Sequence, residues 1–472
     1  MSTIRRVTII ALAAASASLV FVPVAGAHAR SHRARARSQR AQARSHGAHA
    51  RSHRHYAGGG GQAPSSVGQS NRFSPEVIRT DRPPTGYAVT FRFWDPSATS
   101  VQIKGEWYFS NPAQTTTASS QGLLPFQWSP GDVPIAYPNS YEANWPVSAM
   151  TKDPRTGVWT YTTPLPSGVF NYGFFVNCSS STQTGCTEIA DPSNAPWNVR
   201  HGVTAGSTEP TSQVYVPSDP RFHTVNYWWQ APSRIHGSLV DETYNSPLST
   251  SPMGKNYLAI YTPPGYDPNR STPYPTLYLS HGGGGNEIDW STQGVAGNIL
   301  DNLIVTGQVQ PMVVVMTNFN GFGGGCGTSS WETDYDQNLV GAVIPYVQSH
   351  YDVATDPSQR AFAGLSCGGD LAGTLLTNYT GEFDYFGLMS PAPNTVGTLS
   401  AAQQAAIKQV AVMVGGGWQD PLHPFALTDL SAVQSAGGEV FPDFINGGHE
   451  WYVWRILLRD FLTRVAFEPV VG

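Results

Sequence analysis

The sequence predicts an α/β protein in which a mostly parallel sheet is preceded by a small all-β sandwich. Three observations carry that prediction. From about residue 224 onward, short apolar runs alternate with stretches of helical period, the pattern of strands joined by crossover helices. Residues 72–216 instead hold alternating strand-like runs separated by Pro, Gly and Asn turns, with almost nothing helical between them. The segment RAFAGLSCGGDLAGTLLTNY, residues 360–379, reads as a buried strand running straight into a helix, with GLSCG at the junction.

The chain of 472 residues is too long for one core. With 48 Gly, 37 Pro, 11% aromatic and only 12% charged residues, it has the composition of a loop-rich extracellular protein. The net charge of −5 hides a split: ten of the 27 Lys and Arg fall in residues 1–56, which contain no Asp or Glu, so the rest of the chain is strongly acidic. Residues 1–29 carry Arg5 and Arg6, an apolar run over 7–24, and Ala27-His28-Ala29 as a small-residue cleavage site, which together make a signal peptide. No later segment is apolar enough to span a membrane, so the mature form is expected to be secreted, without a membrane span. Residues 30–70 form an Arg/His/Ser/Gly-rich leader that cannot bury a core and is expected to be disordered. Such a basic tract suits a solvated spacer or contact with anionic cell-wall polymer, and export argues against nucleic acid as a partner.

Strand patterning in the next segment falls at residues 87–94, 100–107, 157–163, 170–177 and 213–216. Trp107, Trp159 and Trp197 are expected in the core or between domains, with stacking on sugars as the alternative. The order SPEV, VTFRFWDPSATSVQIKG, GVWTYTTPLPSGVFNYGFFV, DPSN resembles the immunoglobulin-like module found ahead of many bacterial secreted esterases. That resemblance implies an immunoglobulin-like β-sandwich over residues 71–222, leaving 223–472 to the α/β domain.

In the α/β part, strands are expected at 256–261, 274–280, 312–318, 361–365, 385–390, 410–415 and 440–445. Helices are expected at 294–305, 337–350, 366–378, 425–436 and 451–465. Chemistry in such sheets collects at the carboxyl ends of the strands. GLSCG has the GxSxG pattern of a nucleophile elbow, in which Ser366 stands clear of the sheet on a strained turn while Gly364 and Gly368 give clearance and Gly369 lets the helix lie close. A serine hydroxyl needs an imidazole to take its proton, and the imidazole needs a carboxylate to fix its tautomer. His449, in NGGHEW directly after the last strand, is the best placed histidine; His281, His350 and His423 are rivals. Asp420, in GGGWQDPL directly after the strand at 410–415, is the expected acid, ahead of Asp429 and Asp443. For the oxyanion, the elbow supplies the N–H of Cys367, and HGGGGNEIDW supplies a second donor at Gly283. A phosphate-cradling role for that loop lacks the Lys and Ser/Thr of a P-loop.

At this point a second resemblance becomes specific. YTPPGYDP, YPTLYLSHGGGGNEIDW, GVAGNILDNLIVTGQVQPMVVVM, RAFAGLSCGGDLAGTLLTNY and NGGHEWYVWRILLRDFL resemble the esterase D-type α/β-hydrolases, over residues 230–467 in order. Within these, the chain is similar to the feruloyl and acetyl-xylan esterases of carbohydrate esterase family one. The resemblance implies a secreted serine carboxylic-ester hydrolase with Ser366 as nucleophile, His449 as base, Asp420 as acid, oxyanion donors near Gly283 and Cys367, no metal and no cofactor. The residue after the serine departs from the family's usual methionine, and Trp418 adds an aromatic to the acid loop. Trp290, Trp331, Trp418 and Trp451, with Phe322, are the aromatics expected to receive an acyl or sugar group. Siderophore esterases, mycolyltransferase-type acyl transfer and a non-catalytic glycan-binding protein on the same scaffold are the competing readings.

An exported protein with four cysteines favours pairing. Cys178 and Cys186 lie in one loop and are natural partners. That leaves Cys326, in the glycine-rich loop after the strand at 312–318, and Cys367 at the elbow; two buried thiols are the alternative to their bond.

Overall fold

The computed structural model of the chain describes residues 73–113, 122–135, 145, 147–178, 186–197, 211–222, 225–328, 330–392, 396–468 and 470. The expected signal peptide and leader lie outside these residues.

The N-terminal part folds into two antiparallel four-stranded sheets. One runs in the order Glu76–Arg79, Tyr87–Trp94, Val158–Pro164, Thr151–Lys152; the other runs Ser212–Val216, Gly168–Val176, Val101–Gly105, Val147–Ala149. Period-2 patterning builds their interface: Val89, Phe91 and Phe93 are the buried members of Tyr87–Trp94. They share one core with Ile103, Tyr172 and Phe174 of the facing sheet. Trp107 and Trp159 belong to that core, so they pack rather than present a sugar platform. Trp197 is half-buried against the core of the larger sheet.

That larger sheet has eight strands: β1 (Ser238–Thr250), β2 (Met253–Thr262), β3 (Thr276–Ser280), β4 (Val313–Thr317), β5 (Arg360–Leu365), β6 (Tyr385–Met389), β7 (Ala411–Gly417) and β8 (Glu439–Ile445). Their order across the sheet is β1-β2-β4-β3-β5-β6-β7-β8. The pairings of β1 with β2 and of β2 with β4 are antiparallel, and every pairing from β4 through β3 to β8 is parallel. The helices are α1 (Ala296–Val305), α2 (Trp331–Asn338), α3 (Ile344–His350), α4 (Cys367–Asn378), α5 (Ala401–Ile407), α6 (His423–Ala436) and α7 (Trp451–Arg464). Residues of α1 and α7 bury one face of the sheet with Leu277, Leu279 and Met316. Residues of α2, α3, α4 and α6 bury the other with Tyr278, Phe362 and Val412. Both faces are covered, which is why the central strands read as continuous apolar runs.

Three elements of this part escaped the sequence reading: β1, α2 and the short helix α5. β1 is a long edge strand whose residues are mostly exposed, and Pro247 interrupts it, so neither periodicity nor composition marks it. The expected helix at 337–350 begins earlier, at Trp331, and contains a π-helical turn over Leu339–Val343 before α3 continues it. Among the described residues no helix is long and apolar enough to cross a membrane.

Candidate active site

Strand β5 is buried along its length and passes directly into α4, with Ser366 at the junction. Ser366 takes φ 53° and ψ −120°, a conformation that non-glycine residues adopt only when the surroundings over-determine it. Its N–H donates to Met389 O at 2.9 Å, and its carbonyl accepts Asp370 N–H at 3.1 Å. The flanking glycines are required for this turn. A Cβ on Gly364 would stand 2.3 Å from the Gly368 carbonyl oxygen, and one on Gly368 would stand 2.5 Å from the carbonyl oxygen of His281. One on Gly369 would lie 3.0 Å from Met389 O, which fixes how closely α4 approaches the end of β6.

Asp420 follows β7 and His449 follows β8, so both stand at the same end of the sheet as Ser366. Their loops are stitched together: Trp418 N–H donates to Ile445 O at 2.8 Å, Gln419 N–H donates to Gly447 O at 3.0 Å, and Gly447 N–H donates to the Gln419 side chain at 2.8 Å. A Cβ on Gly417 would lie 2.1 Å from Gly447 O, so the approach of the two loops needs glycine there. On this base His449 Nδ1 stands 3.0 Å from Asp420 Oδ2 and 3.1 Å from Oδ1. The carboxylate also accepts Leu422 N–H at 2.7 Å. Burial opposes its charge, but the attraction of His449 and these hydrogen bonds together hold the Asp420 carboxyl below its ordinary value. An ionised Asp420 keeps the proton of neutral His449 on Nδ1 and leaves Nε2 as the acceptor.

The glycine loop after β3 lies against the elbow. A Cβ on Gly282 would come within 3.3 Å of the Ser366 Cβ, and one on Gly283 within 3.2 Å of Cys367 Sγ. Cys367 opens α4, where the first N–H groups have no partner inside the helix. Both expected disulfides form: Cys178 with Cys186, and Cys326 with Cys367, the latter with a Cα–Cα distance of 6.0 Å. The second bridge ties the glycine-rich loop after β4 to the elbow.

The rival residues are occupied elsewhere. His281 is fully buried and stacked 3.9 Å from Phe319; its Nδ1 meets Gly282 O at 2.7 Å and its Nε2 accepts Phe319 N–H at 3.3 Å. Burial pushes its pKa down to about 4, so it is a neutral structural imidazole. His350 is exposed and bonds Tyr346 O at 2.8 Å. Asp429 accepts Val396 N–H at 3.0 Å, and Asp443 lies beside Arg464 and Asp460.

One sequence expectation is corrected here. Trp290, Trp331 and Trp451 do not line a surface, and neither does Phe322; all are buried. Trp290 donates its indole N–H to Ser280 O at 2.8 Å and meets Trp451 edge-on at 5.3 Å, while Trp331 packs against Phe319 at 5.2 Å. Large aromatic faces beside an elbow fill the core before they face substrate. Trp418 alone of that set is open to solvent, at 52% exposure, on a ledge with His423 and Phe444. His423 is partly buried there, which lowers its pKa against the opposing charge of Asp420.

The comparisons with known proteins bear on the same segment. Residues 249–465 match the family model described as a putative esterase. The chain is 29% identical over 310 residues to an endo-1,4-beta-xylanase/feruloyl esterase of Xylanibacter ruminicola, covering 58% of this chain and 40% of that protein. It is 35% identical over 161 residues to endo-1,4-beta-xylanase Y of Acetivibrio thermocellus, covering 32% of this chain and 14% of that one. This chain therefore spans less than half the length of either relative. Among solved structures, the enterobactin esterase of Shigella flexneri in the presence of 2,3-dihydroxy-N-benzoyl-serine aligns with a TM-score of 0.50 at 16% identity. It covers 83% of this chain and 96% of its own, a likeness in fold that includes the β-rich N-terminal part.

Sequence reasoning missed three residues that shape the site. Gly417 could have been suspected from the GGG run alone. Ser390, after β6, accepts the Trp454 indole N–H at 3.1 Å, and Trp454, on α7, meets the His449 ring at 4.8 Å; neither carried a signal, because a serine after a strand and a tryptophan in an apolar helix have many ordinary explanations.

Proposed function

We propose that the chain is a secreted serine carboxylic-ester hydrolase that cleaves feruloyl or acetyl esters of polysaccharides, with Ser366, His449 and Asp420 as its catalytic triad. The observation that carries this reading is the buried Asp420–His449 pair, standing at the sheet end where Ser366 is held on a strained strand-to-helix turn. In this reading His449 Nε2 takes the proton of Ser366 Oγ as the oxygen attacks the ester carbonyl. The oxyanion is received by the N–H groups of Cys367 and Gly283. The imidazolium then protonates the departing alcohol, and a water molecule repeats the sequence on the acyl-enzyme. Asp420 stabilises the imidazolium throughout without taking its proton.

Support for the substrate class comes from the names of the two curated relatives, both xylanases and one also a feruloyl esterase. The exposed Trp418 ring beside the acid loop offers a flat apolar surface to an aromatic acyl group or a sugar. The immunoglobulin-like assignment of the N-terminal sheets, and the role of residues 1–70 as signal and leader, belong to the same proposal. The test is a panel of chromogenic acetyl, butyryl and feruloyl esters assayed with parent and Ser366→Ala protein. The reading expects turnover of acetyl or feruloyl esters and a loss of about three orders of magnitude or more in the variant. Equal rates for both proteins would remove it.

A further inference from the structure

His281 opens the glycine loop after β3 and is fully buried, and its ring is bonded at both nitrogens. From the loop after β4, the N–H of Phe319 donates to Nε2 at 3.3 Å, and the Phe319 ring stacks on the imidazole at 3.9 Å between centroids. A neutral imidazole carries one proton, so a ring that accepts at Nε2 donates at Nδ1. That donor meets Gly282 O at 2.7 Å. Gly285 N–H reaches the same oxygen at 3.2 Å, and the Asn320 side-chain amide donates to Gly285 O at 2.7 Å. Two donors therefore hold the Gly282 carbonyl, and the ring that supplies the shorter bond is itself pinned by a second loop.

A trans peptide is planar, with its C=O and N–H on opposite sides. Fixing Gly282 O against the imidazole thus fixes the direction of the Gly283 N–H, which is turned away from the ring. The peptide lies against the elbow: a Cβ on Gly282 would stand 3.3 Å from Ser366 Cβ, and one on Gly283 would stand 3.2 Å from Cys367 Sγ. Gly283 is exposed, whereas His281 and Gly282 are buried. Among the described residues the Gly283 N–H makes no hydrogen bond to the protein. We propose that His281 is a positioning residue for the oxyanion: its Nδ1–H locks the Gly282–Gly283 peptide so that the Gly283 N–H stays aimed at the oxygen that becomes negative. This rests on the reading of Ser366 as nucleophile. The imidazole exchanges no proton with the substrate and acts only through the peptide. Successive glycines let an unlocked peptide rotate, and an oxyanion donor is effective only when it is oriented before the charge forms.

The experiment divides the two bonds of the ring. Counted in bonds from Cβ, an asparagine amide stands where Nδ1 does and a glutamine amide where Nε2 does. His281→Asn therefore keeps the donor to Gly282 O and loses the acceptor for Phe319 N–H, and His281→Gln does the reverse. Parent, both variants and Ser366→Ala are compared in kcat, KM and Tm on 4-nitrophenyl acetate. Inhibition by phenylboronic acid, whose boron bonds to a serine Oγ and presents an oxygen to the oxyanion donors, is measured alongside. His281→Gln is expected to lower kcat by about tenfold or more with KM changed by less than about twofold, and to weaken the boronic acid by a similar factor. His281→Asn should hold kcat within about threefold of the parent while its Tm falls below that of His281→Gln, because it leaves the Phe319 N–H buried without an acceptor. A purely structural imidazole predicts that kcat follows Tm, and that order overturns the proposal. Full kcat in His281→Gln also overturns it, since the Gly285 turn alone would then hold the peptide. If one variant fails to fold, the other decides: a slow His281→Gln or a fast His281→Asn supports the lock, and the opposite result removes it. If both fail, nitrogen-15 shifts of the parent's His281 decide through the tautomer, because a protonated Nε2 removes the donor to Gly282 O. An active Ser366→Ala protein would sink the triad reading itself, whereas an inactive one beside a fully active His281→Gln sinks this proposal alone.

Discussion

Arg455 reaches from α7 to Glu106 at 3.1 Å, and both side chains are buried. The same guanidinium donates to Val169 O and to Gln293 O, each at 2.8 Å, while Glu106 also accepts the N–H and the side-chain amide of Asn171. Val169 belongs to the N-terminal strand Gly168–Val176, Glu106 directly follows the strand Val101–Gly105, and α7 is the helix that follows His449. Beside this pair, Val169, Tyr227 and Trp229 join the core formed by α1, α7 and the large sheet, and the Tyr227 and Tyr452 hydroxyls meet at 2.9 Å. The N-terminal sheets are thus bonded to the helix that anchors the His449 loop.

The first prediction follows from that bond. Arg455→Met leaves Glu106 buried without its cation and is expected to cost about 3–5 kcal/mol in urea unfolding, whereas adding Glu106→Leu should return part of the loss. A chain beginning at residue 225 is expected to be insoluble or to have lost activity. If it folds cooperatively and turns over small esters at the parent rate, the N-terminal sheets are dispensable for the site.

The second concerns the bridge at the elbow. Cys326 and Cys367 are 41 residues apart, a loop whose closure is worth about 4 kcal/mol in the chain-entropy model. Cys367 also provides the proposed oxyanion N–H, and Gly283 lies against its sulfur. Cys326→Ser should therefore lower both Tm and kcat, and mild reduction of the parent should lower kcat before it unfolds the protein. Alkylation of Cys367 in denatured protein never exposed to reductant would contradict the bond.

How much of this was legible follows from where each signal lives. Strands β3 to β7 announced themselves because both faces are buried and nearly all their residues are apolar, whereas of the two edge strands β8 was read from Val440, Phe441, Phe444 and Ile445 despite Pro442 and Asp443, and β1, with polar residues and a proline, was not read at all. Ser366 and His449 stood out because glycines surround each of them, and glycine clusters mark places where backbone must bend or approach closely. Tryptophans carry no such marker. Trp290, Trp331 and Trp451 have the composition of a binding surface and the positions of a core, and only packing separates the two. Ser390 was invisible for a related reason: its φ of 46° is a property of the fold around it, and its sequence neighbours give no sign of that strain.

The third prediction separates the acids. Asp420→Asn replaces the charge that faces His449 Nδ1 and allows the wrong tautomer, so kcat/KM should fall by about three to four orders of magnitude with the fold intact. Asp429 and Asp443 bond elsewhere, and their Asn variants should stay within about threefold of the parent in kcat/KM. A crippled Asp443→Asn alongside an active Asp420→Asn would reverse the assignment.

The last prediction concerns stability against pH. Asp289, in the glycine loop after β3, is buried with its Oδ1 lacking a hydrogen-bond partner among the described residues. Burial, reinforced by the charge of Glu287, raises its pKa to about 7. Burial likewise raises Asp191, Asp301 and Asp443 to about 6 each. A carboxyl with a raised folded-state pKa keeps a proton that the unfolded chain has already released, so its contribution to stability is full below the unfolded value and is lost as the pH rises through the folded one. For these four groups the loss spans the range from the ordinary carboxylate value up to about pH 7. His281 opposes them: its pKa of about 4 means that stability falls as the pH drops below its ordinary value of 6.5. Asp420, held below 3.8, contributes stability above that value and gives it up only in stronger acid. Four carboxyls outweigh one imidazole, so Tm should rise as the pH is lowered from about 8 to about 5. Asp289→Asn removes a group that titrates near neutrality, and it should flatten the part of that rise nearest pH 7. Calorimetry of both proteins across the range checks it, and a parent Tm that climbs with pH over the same interval would show that these carboxyls are charged in the folded state.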